Sequence, residues 1–462
     1  MGTPVTVAIL AAGLGTRMKS RRAKVLHEAG GKPLIAHVVE TALQVAPPER
    51  VFVIVGHQAE EVRAAVKMPG VQFVLQAEQK GTGHALMVGR DRMSGLGGLL
   101  VILYGDGPLI SAATIRRLIA AQETGGAAGV FITAMMDDPT GYGRVLRDGA
   151  GRVIAIVEQK AATPQQLQVR EANMGLYCWR ADVFWKHLFE IRPDNPAREY
   201  YLTDVVGLAL GAGQCVQTLC VEEASEVLGI NTREELAQVD RILRDRKVRE
   251  LMLAGVTVRK PETVTVDSGV RIGMDTVVEP FAQILGDSVI GENCRIGACS
   301  ILRDAVLADE VEVFPFTSIA GCRLEKGAHA GPYARLRMNS HVGEGARVGN
   351  FVELKKTRLG AGSKAMHLAY LGDSEIGAGA NIGAGAITCN YDGERKHGTR
   401  IGDAAFIGSN ATLVAPIEIG DGAYVAAASV VTDPVPPDAL ALGRARQVLK
   451  EGWAKRRRER KQ

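Results

Sequence analysis

Residues 272–302 read IGMDTVVEPFAQILGDSVIGENCRIGACSIL, and the architecture of the C-terminal half of the chain follows from their spacing. An aliphatic residue returns at every sixth position, at Ile272, Val278, Ile284, Ile290, Ile296 and Leu302. A period of six fits neither an α-helix, which repeats every 3.6 residues, nor a single strand, which repeats every two. It fits hexapeptide repeats, in which each repeat forms one short strand and three repeats close a coil of roughly 18 residues. The pattern therefore predicts a parallel β-helix.

The same period continues through residues 336–354 and 401–431, with slips of one residue in places. The slips shorten the spacing from Leu302 to Leu307, Ile319 to Leu324, Leu354 to Leu359 and Leu371 to Ile376. A longer interruption runs from Cys389 to Arg400. Such insertions leave a repeat core as loops, and loops are where repeat proteins commonly carry their functional residues.

Composition is that of an ordinary water-soluble protein with two or three domains. The chain has 462 residues, a formal net charge of +4, 46% hydrophobic and 23% charged residues. The small net charge argues against bulk nucleic-acid binding, and neither an apolar segment of about 18 residues nor a signal-peptide layout occurs. We expect a cytoplasmic protein with no membrane and no nucleic-acid partner. The seven cysteines have no C-x-x-C spacing, so buried free thiols are expected rather than a zinc or redox site.

The N-terminus begins with a strand-like run, Val5–Leu10, followed directly by the glycine-rich segment AAGLGTRM at residues 11–18. A glycine-rich turn between a strand and a helix lets backbone N–H groups approach phosphate oxygens, and the helix N-terminus favours negative charge. Arg17 adds a guanidinium fork for phosphate, and Lys24 adds a point charge. Together they predict a phosphate-binding loop, although the third glycine of the dinucleotide fingerprint is missing.

Strand-like runs alternate with helical patterns through the N-terminal half, which favours a doubly wound α/β domain. The runs cover residues 51–55, 71–75, 99–104, 130–134 and 153–157, with helical patterns at 33–45 and 112–123. The run at 99–104 ends in Gly105-Asp106, and ligands of such folds collect beyond the carboxyl ends of the strands. Asp106 is therefore either an oxygen ligand of Mg²⁺ or a turn aspartate before Pro108.

Four segments of this half resemble the sugar-nucleotide pyrophosphorylases: LAAGLGTRM at 10–18, LQAEQKGTGH at 75–84, YGD at 104–106 and GYGR at 141–144. The resemblance implies a Rossmann-like nucleotidyltransferase domain with Gln76, Gly81 and Thr82 around uracil, and with Asp106 and Asn231 as ligands of Mg²⁺. It implies that Gly141, Glu158 and Asn173 hold the sugar. The full substrate-binding set that it implies is Leu10, Ala11, Ala12, Gly13, Arg17, Lys24, Gln76, Gly81, Thr82, Tyr104, Gly105, Asp106, Gly141, Glu158, Asn173 and Asn231.

Asn231 precedes a charged helical pattern at Arg233–Leu253, so it has an alternative role as the helix N-cap. Both roles are compatible if Thr232 caps the helix instead. This helix is interpreted as the bridge between the two halves. We therefore divide the chain into a uridyltransferase domain (1–230), a linker helix (231–252), a β-helix (253–440) and a basic tail (441–462).

The repeat register argues for an anion site on the β-helix. Arg337 and Lys355 are 18 residues apart, and each follows an inward aliphatic position, so they stack about 4.8 Å apart on adjacent coils. Two exposed cations at that distance repel each other unless an anion such as phosphate lies between them; the alternative is a pair screened by solvent. A histidine beside such a site is a candidate base. The residues expected to converge with this pair near one corner are His367, Tyr370, Asn381, Asn390 and Tyr391.

Five further segments resemble the family of bifunctional N-acetylglucosamine-1-phosphate uridyltransferases and glucosamine-1-phosphate N-acetyltransferases, and this resemblance covers nearly the whole chain. The segments are GPYARLR at 331–337, GNFVELKK at 349–356, HLAYLGD at 367–373, NIGAG at 381–385 and TCNYDG at 388–393. The resemblance implies a left-handed β-helix with His367 as general base. It places the sugar phosphate on Arg337, Lys355, Tyr370 and Asn381, and acetyl-CoA on Asn390, Tyr391, Ser409, Ala427 and Arg444.

The same resemblance implies the reactants and the assembly. The implied partners are UTP, acetyl-CoA, glucosamine-1-phosphate and N-acetylglucosamine-1-phosphate, with Mg²⁺ as cofactor, in a homotrimer whose neighbouring chains complete the acetyl site. The implied product is UDP-N-acetylglucosamine, a precursor of the bacterial cell wall. The chain departs from the family pattern at Gly107, Met174, Met338, Ala369 and Ala428.

Other functions remain open from the residues alone. The β-helix is alternatively a structural appendage of a monofunctional sugar-1-phosphate nucleotidyltransferase. A metal site at a trimer interface needs clustered histidines, but His329 and His341 are 12 residues apart and fall on different faces. The basic run Lys455–Lys461 is expected to be a solvated end rather than a nucleic-acid or membrane anchor, because no aromatic interleaving or second basic patch accompanies it.

Overall fold

The computed structural model describes residues 2–195 and 197–460. The chain forms two compact units, one reaching Leu243 and the other beginning at Arg244. The division falls within the long helix Arg233–Leu253, which the charged pattern had predicted with these limits. Lys461, the last basic residue of the tail, lies outside the described residues.

The first unit is built on a mixed sheet. The strands of this unit are β1 (Val5–Ala11), β2 (Glu28–Ala29), β3 (Lys32–Pro33), β4 (Val51–Val55), β5 (Gln72–Leu75), β6 (Leu99–Tyr104), β7 (Gly129–Met135), β8 (Gly143–Arg147), β9 (Val153–Val157), β10 (Glu171–Arg180) and β11 (Val216–Val221). Strands β2 and β3 form a separate two-stranded sheet. The main sheet has the order β11-β7-β10-β6-β1-β4-β5, with β8 and β9 attached through β10. Strands β4 and β6 run parallel to β1, whereas β10 is antiparallel to β6 and β7. The predicted α/β fold is confirmed, and β10 makes the sheet mixed.

Helices cover both faces of this sheet. They are α1 (Leu34–Ala42), α2 (Ala59–Ala65), α3 (Thr82–Met87), α4 (Arg90–Met93), α5 (Ala112–Gly125), α6 (Pro164–Leu167), α7 (Ala181–Leu188) and α8 (Asp204–Gly211). Later in the chain follow α9 (Arg233–Leu253), within which the first unit ends, and α10 (Trp453–Glu459), which belongs to the second unit. Strand β1 shows why both faces are apolar: Val7 and Ile9 enter one core, and Ala8 and Leu10 enter the other. Because both faces are covered, polar groups collect at the strand ends.

The second unit is the left-handed β-helix, whose strands stack in three parallel sheets that we call faces one, two and three. Face one contains Thr257–Val258, Val277–Val278, Arg295–Ile296, Glu312–Val313, His329–Ala330, Arg347–Asn350, Lys364–His367, Asn381–Ile382, Phe406–Ile407, Tyr424–Val425 and Leu440–Ala441. Face two contains Thr265–Val266, Gln283–Leu285, Ile301–Arg303, Ser318–Ala320, Arg335–Arg337, Glu353–Lys355, Tyr370–Gly372, Ile387–Cys389, Thr412–Val414 and Val430–Val431. Face three contains Arg271–Ile272, Val289–Ile290, Val306–Leu307, Arg323–Leu324, His341–Val342, Arg358–Leu359, Ser374–Ile376, Thr399–Ile401 and Ile417–Ile419.

The aliphatic residues that repeat every six positions all point into one continuous core. Ile284, Ile296 and Leu302 are fully buried, as are Leu336 and Leu354. The predicted register is therefore confirmed. The four slips of one residue share a location, because each falls at the corner where face two passes into face three. The long interruption after Cys389 occupies this same corner, so a single edge of the prism carries every irregularity that the sequence pattern had shown.

No helix in residues 2–195 or 197–460 combines the length and the apolar character that a bilayer crossing requires. The seven cysteines are all free thiols. Cys178, Cys294 and Cys322 are buried, whereas Cys215 and Cys220 are exposed, so the expectation of buried thiols holds only in part.

Candidate active sites

The glycine-rich loop at the end of β1 holds Lys24 close to the backbone. Gly15 has a φ of 61°, and a Cβ there would lie 2.6 Å from Cβ of Lys24. The segment Thr16–Met18 is a single turn of 3-10 helix rather than the start of an α-helix. The predicted contribution of a helix N-terminus to phosphate binding is therefore wrong, because a single turn sums too few peptide dipoles. The loop instead relies on close backbone approach and on its cations.

Three distant parts of the chain meet in one polar cluster beside this loop. Lys24 Nζ forms an ion pair with Asp106 and lies 3.2 Å from Asn231 Oδ1. Arg17 Nη2 donates to the same Asn231 oxygen at 2.8 Å. The Ile230 N–H donates to the Asp106 carbonyl at 3.0 Å, which ties the segment before α9 to the end of β6. The carboxylate of Asp106 and the amide oxygen of Asn231 thus converge on one cation.

Asn231 is free for this cluster because its neighbour caps the helix. Thr232 Oγ1 accepts from the Glu235 N–H at 3.2 Å, and Glu235 Oε2 accepts in return from the Thr232 N–H at 2.8 Å and from the Asn231 N–H. This reciprocal arrangement is a capping box. The alternative in which Asn231 itself caps α9 is wrong.

Two cavities adjoin at Asp106. One, of about 410 Å³, is lined by the glycine-rich loop, Lys24, Gln76 and Gly81. The other, of about 420 Å³, is lined by Arg17, Gly141, Glu158, Asn173 and Asn231. Tyr104, Asp106 and Thr82 line both. All the implied binding residues except Gly105 line at least one of these cavities, and the Gly105 N–H donates to the Leu10 carbonyl at 2.9 Å, which docks the end of β6 against β1.

The first cavity carries an amide that the fold holds in place. Gln76 is almost fully buried, and its Nε2 donates to the Gly81 carbonyl at 3.2 Å and lies 3.0 Å from His84 Nδ1. Gly81 has a φ of 104°, and a Cβ there would lie 2.6 Å from the Tyr200 carbonyl oxygen. The Thr82 hydroxyl accepts from the Leu202 N–H at 3.1 Å. These contacts present a fixed polar edge of the kind that recognises a planar base.

The second cavity is lined in part by buried polar side chains. The Thr203 hydroxyl donates to Glu158 Oε1 at 3.1 Å, and burial raises the pKa of the Glu158 carboxyl despite this bond. Burial, together with the charges of Glu158 and Asp106, raises the pKa of the Tyr104 phenol far above its usual value. Asn173 donates to the Tyr177 hydroxyl at 2.7 Å, which fixes the direction of its amide. Such a pocket suits a neutral polyhydroxy ligand, because buried acceptors are satisfied best by hydroxyl donors.

On the β-helix, the predicted pairing of Arg337 with Lys355 is confirmed, because the two residues are Cα partners on adjacent coils of face two. The further argument, that two exposed cations at this distance need an anion between them, rests on a premise that the structure contradicts. Lys355 is buried, and its Nζ forms an ion pair with Asp373 at 2.9 Å. Arg337 Nε pairs with Glu353 at 2.6 Å. Carboxylates of the protein therefore relieve the repulsion between the two cations, and no bound anion is needed for that purpose.

The side chains of Asn390 and Tyr370 pack directly against Gly372 on face two. Residue 372 is the Cα partner of Lys355, and a Cβ on this glycine would lie 2.6 Å from the Tyr370 hydroxyl and 2.7 Å from Asn390 Nδ2. Asn390 donates to Asp373, the same carboxylate that pairs with Lys355. A glycine at 372 is thus required by the close approach of the two side chains, and Lys355, Tyr370, Asp373 and Asn390 form one cluster.

His367 lies at the corner between faces one and two. It is exposed, and its Nδ1 lies 2.6 Å from Asn350 Oδ1 on the preceding coil. A column of backbone hydrogen bonds continues along this corner, from Leu368 to Asn350, Gly385 to His367, Asn410 to Ala384 and Ala428 to Ser409. The corner therefore stacks Asn350, His367, Ala384, Ser409 and Ala427 in order.

The expected convergence at a single corner is only partly correct. His367 and the stacked small residues occupy the corner between faces one and two, whereas Lys355 and Asn390 lie at the other end of face two. Asn381 is the Cα partner of Lys364, three residues before His367, so it lies at the far end of face one. Arg444 is exposed beyond the last strand, and Tyr391 is exposed in the interruption loop. The candidate residues therefore lie at both ends of the strands of face two rather than at one corner.

Three residues of this site were missed by reasoning from the sequence. Asp373 organises the cationic cluster, Ala384 stands between His367 and Ser409 in the column, and Lys396 belongs to the interruption loop. The side chain of Lys396 lies against Lys355, and this neighbouring ammonium lowers the pKa of Lys396. The repeat register would have found Ala384, but the position of Lys396 depends on how an irregular loop folds back.

Comparison with known proteins gives matches to each half and to the whole chain. The MobA-like NTP transferase domain matches residues 7–169, and the bacterial transferase hexapeptide (six repeats) matches residues 269–304 and 398–433. The chain is 63% identical to the bifunctional protein GlmU of Solibacter usitatus (strain Ellin6076) over 459 residues, which are 99% of this chain and 98% of that protein. It is 50% identical to the bifunctional protein GlmU of Koribacter versatilis (strain Ellin345) over 455 residues, 98% of this chain and 97% of that protein. It is 51% identical to the bifunctional protein GlmU of Anaeromyxobacter sp. (strain Fw109-5) over 460 residues, 98% of this chain and 93% of that protein.

Proposed function

Since the chain belongs to the family of the bifunctional GlmU proteins, we propose that its two candidate sites perform two successive reactions on one sugar phosphate. The chain is a uridyltransferase and a glucosamine-1-phosphate N-acetyltransferase of UDP-N-acetylglucosamine synthesis. The observation that supports the assignment of residues is the separation of two clusters, Lys24–Asp106–Asn231 in one unit and Lys355–Asp373–Asn390 in the other. The reading of the β-helix as a purely structural appendage is not favoured.

Acetyl transfer comes first and takes place on face two. Arg337, Lys355 and Tyr370 hold the phosphate of glucosamine-1-phosphate, together with Asn381. His367 takes the proton from the sugar amine as its nitrogen attacks the thioester carbonyl, and a positioned base of this kind accelerates the reaction about 10² to 10⁴-fold. Acetyl-CoA lies along Ser409, Ala427, Arg444, Asn390 and Tyr391. The small side chains of the His367 corner leave room for the thioester beside the imidazole.

Uridylyl transfer then takes place in the two adjoining cavities of the first unit. The cavity with Gln76 and Gly81 holds uracil, and the glycine-rich loop approaches the phosphates. The cavity with Gly141, Glu158 and Asn173 holds N-acetylglucosamine-1-phosphate, whose phosphate attacks the α-phosphate of UTP as pyrophosphate leaves. Arg17 and Lys24 stabilise the negative charge that develops there.

The metal that assists this step is Mg²⁺, and Asp106 and Asn231 would hold it. Their oxygens converge on one cation, the ammonium of Lys24, and they are hard donors of the kind that Mg²⁺ prefers. Bound there, the ion would neutralise charge on the transferring phosphates.

The proposed assembly is a homotrimer in the cytoplasm, where UTP and acetyl-CoA are available. A column of exposed, stacked aromatic rings, which we call the aromatic ladder, lies along the His367 corner. It supports the proposal that a second copy of the chain packs against this corner. The rings of Phe316 and Tyr333 stack at 5.0 Å, those of Tyr333 and Phe351 stack at 5.2 Å, and all three residues are about half exposed. Leu368, the next member of this column, is also exposed. A neighbouring copy that covers the ladder would bring its own Asn381 or Arg444 towards His367.

The proposed limits of the parts are 1–230 for uridylyl transfer, 231–252 for the linker helix, 253–440 for acetyl transfer and 441–462 for the basic tail. Two substitutions test the separation of the activities. We expect His367→Ala to lower acetylation of glucosamine-1-phosphate by about 10²-fold or more and to leave uridylyl transfer unchanged. We expect Asp106→Ala to abolish uridylyl transfer alone. Release of free CoA thiol and of pyrophosphate measures the two reactions.

His341→Ala is the matched control for the histidine variant, because His341 lies on face three, where its Nε2 contacts Glu325 at 2.8 Å. Both activities should survive this change. Loss of both activities in His367→Ala would contradict the assignment of that residue to acetyl transfer, and retained pyrophosphate release in Asp106→Ala would remove the proposed metal ligand.

A further inference from the structure

The imidazole of His367 has one nitrogen already engaged. Its Nδ1 lies 2.6 Å from the side-chain oxygen of Asn350. The two residues are Cα partners on adjacent coils, and the Leu368 N–H donates to the Asn350 carbonyl at 3.0 Å. The stacking of the coils therefore sets the distance between the two side chains.

We propose that Asn350 is the positioning residue for His367: it holds the proton on Nδ1 and so leaves Nε2 as the base. This inference rests on the proposed role of His367 in acetyl transfer. An amide oxygen accepts a hydrogen bond and does not donate one. The nitrogen that faces it must carry hydrogen, and in a neutral imidazole the other nitrogen then has a free lone pair.

The proton balance of the reaction follows from this arrangement. The sugar nitrogen forms a bond to the acetyl carbon as its proton moves to Nε2, and the bond from that carbon to the CoA sulfur breaks. The imidazolium then returns the proton to the leaving thiolate. Throughout, Nδ1–H continues to donate to Asn350, and this bond strengthens while the ring is charged. The ring therefore keeps one orientation through both proton transfers.

None of the charged side chains described next around this corner is the group bonded to Nδ1 of His367. Glu353, the acidic residue of the neighbouring strand on face two, is paired with Arg337 at 2.6 Å. Lys355 is paired with Asp373 at the other end of that face, away from His367. Lys364 and Arg347 lie at the start of the strands that carry His367 and Asn350, and the next coil brings Ala384 and Gly385. A neutral amide, rather than a carboxylate, is thus the group bonded to Nδ1.

Two variants test the inference. Asn350→Ala removes the acceptor, and we expect kcat for acetyl transfer to fall about 10 to 100-fold, as for other partners that orient a ligating or catalytic imidazole. KM for both substrates should stay within about twofold, because Asn350 is not proposed to touch them. Asn350→Asp keeps an acceptor of nearly the same shape and adds a negative charge. We expect it to retain kcat at high pH and to move the acidic limb of the pH–kcat profile upward by about one pH unit.

Gln283→Ala serves as the matched control, since Gln283 is an exposed amide residue several coils away on face two. Uridylyl transfer and the thermal unfolding midpoint report on folding in every variant. Unchanged kcat in Asn350→Ala, or an unmoved acidic limb in Asn350→Asp, would overturn the inference. If instead His367→Ala kept full acetylation, the proposed function of the site would fail, so the two failures are distinguishable.

Discussion

At the scale of single residues, the two sites use the same device. Lys24 is held by Asp106 and Asn231, and Lys355 lies in one cluster with Asp373 and Asn390. A free lysine side chain loses up to about 2 kcal/mol of conformational entropy when it is immobilised. An aspartate that holds the ammonium in the free protein removes part of that cost from substrate binding, which is the general benefit of preorganisation.

Asp373→Asn tests this device on the β-helix. We expect KM for glucosamine-1-phosphate to rise about tenfold, the loss of roughly one charge-assisted hydrogen bond, with kcat and uridylyl transfer little changed. Asp433→Asn, an exposed aspartate near the last coil, is the control. A KM equal to that of the unaltered protein would show that Lys355 needs no carboxylate to face the phosphate.

Glu158 gives a prediction on pH. Its folded-state pKa is raised by burial, so the protonated form is favoured in the folded protein. Its contribution to stability is complete below the ordinary value of 4.5 and is lost as pH rises through the raised pKa. We expect Glu158→Gln to raise the unfolding temperature of the first unit at pH 7 by about 2 °C or more, and by less at pH 4.5.

Calorimetry at the two pH values measures this difference. Because Glu158 is also proposed to bind the sugar, the same variant should lower uridylyl transfer while it stabilises the fold. An equal effect on the unfolding temperature at both pH values would contradict the assigned cause.

At the scale of the structural element, the corners of the β-helix explain the recurrent pair of an aliphatic residue and glycine. Gly343 follows the inward Val342 and has no left-handed φ, yet a Cβ there would lie 2.7 Å from the Ala361 backbone nitrogen of the next coil. Glycine is needed at this position for clearance between coils. The left-handed positions of the β-helix are filled partly by other glycines, such as Gly345 (φ 61°), and partly by residues with a side chain, such as Phe351 (φ 55°) and Ala428 (φ 58°).

This distinction is testable with glycine-to-alanine changes. We expect Gly343→Ala to lower the free energy of unfolding of the β-helix by about 1 to 3 kcal/mol, the usual cost of overpacking against a backbone that cannot move. Gly398→Ala is the control, because its nearest neighbour would be the Asp373 carbonyl at an ordinary 3.6 Å. Urea unfolding measures both, and equal effects would refute the clearance argument.

At the scale of the whole molecule, two chemistries share one chain, and the β-helix carries an exposed ladder of stacked rings, Phe316, Tyr333 and Phe351, at the corner of its candidate site. Apolar rings that stack in a column and remain half exposed are typical of a surface that a partner covers. For the proposed trimer we expect a mass in solution of three times the chain mass of 49.2 kDa.

Tyr333→Asp places a charge in the middle of this ladder. Burying an unpaired carboxylate in an interface is costly, so we expect the assembly to dissociate to single chains by light scattering and acetyl transfer to be lost, while uridylyl transfer remains. Ile154→Asp, at an equally exposed position on β9, should change neither the mass nor acetylation. A trimer that survives Tyr333→Asp would place the interface elsewhere.

The sequence alone was sufficient to predict the course of the β-helix. The inward residues recur every six positions, so each one can be recognised from nearby sequence. The sequence also singled out Lys24, Asp106 and, through the family resemblance, Asn231, and the structure brings these three residues together. Only the tertiary structure decided which carboxylate neutralises which cation: Asp373 pairs with Lys355, and Glu353 pairs with Arg337. Those pairs join adjacent coils, so their geometry depends on how the backbone stacks. The positions of Asn390 and Lys396 depend in addition on how the irregular segment after Cys389 folds back. The conformation of this segment could not be predicted from residue spacing, because the segment has no repeating pattern.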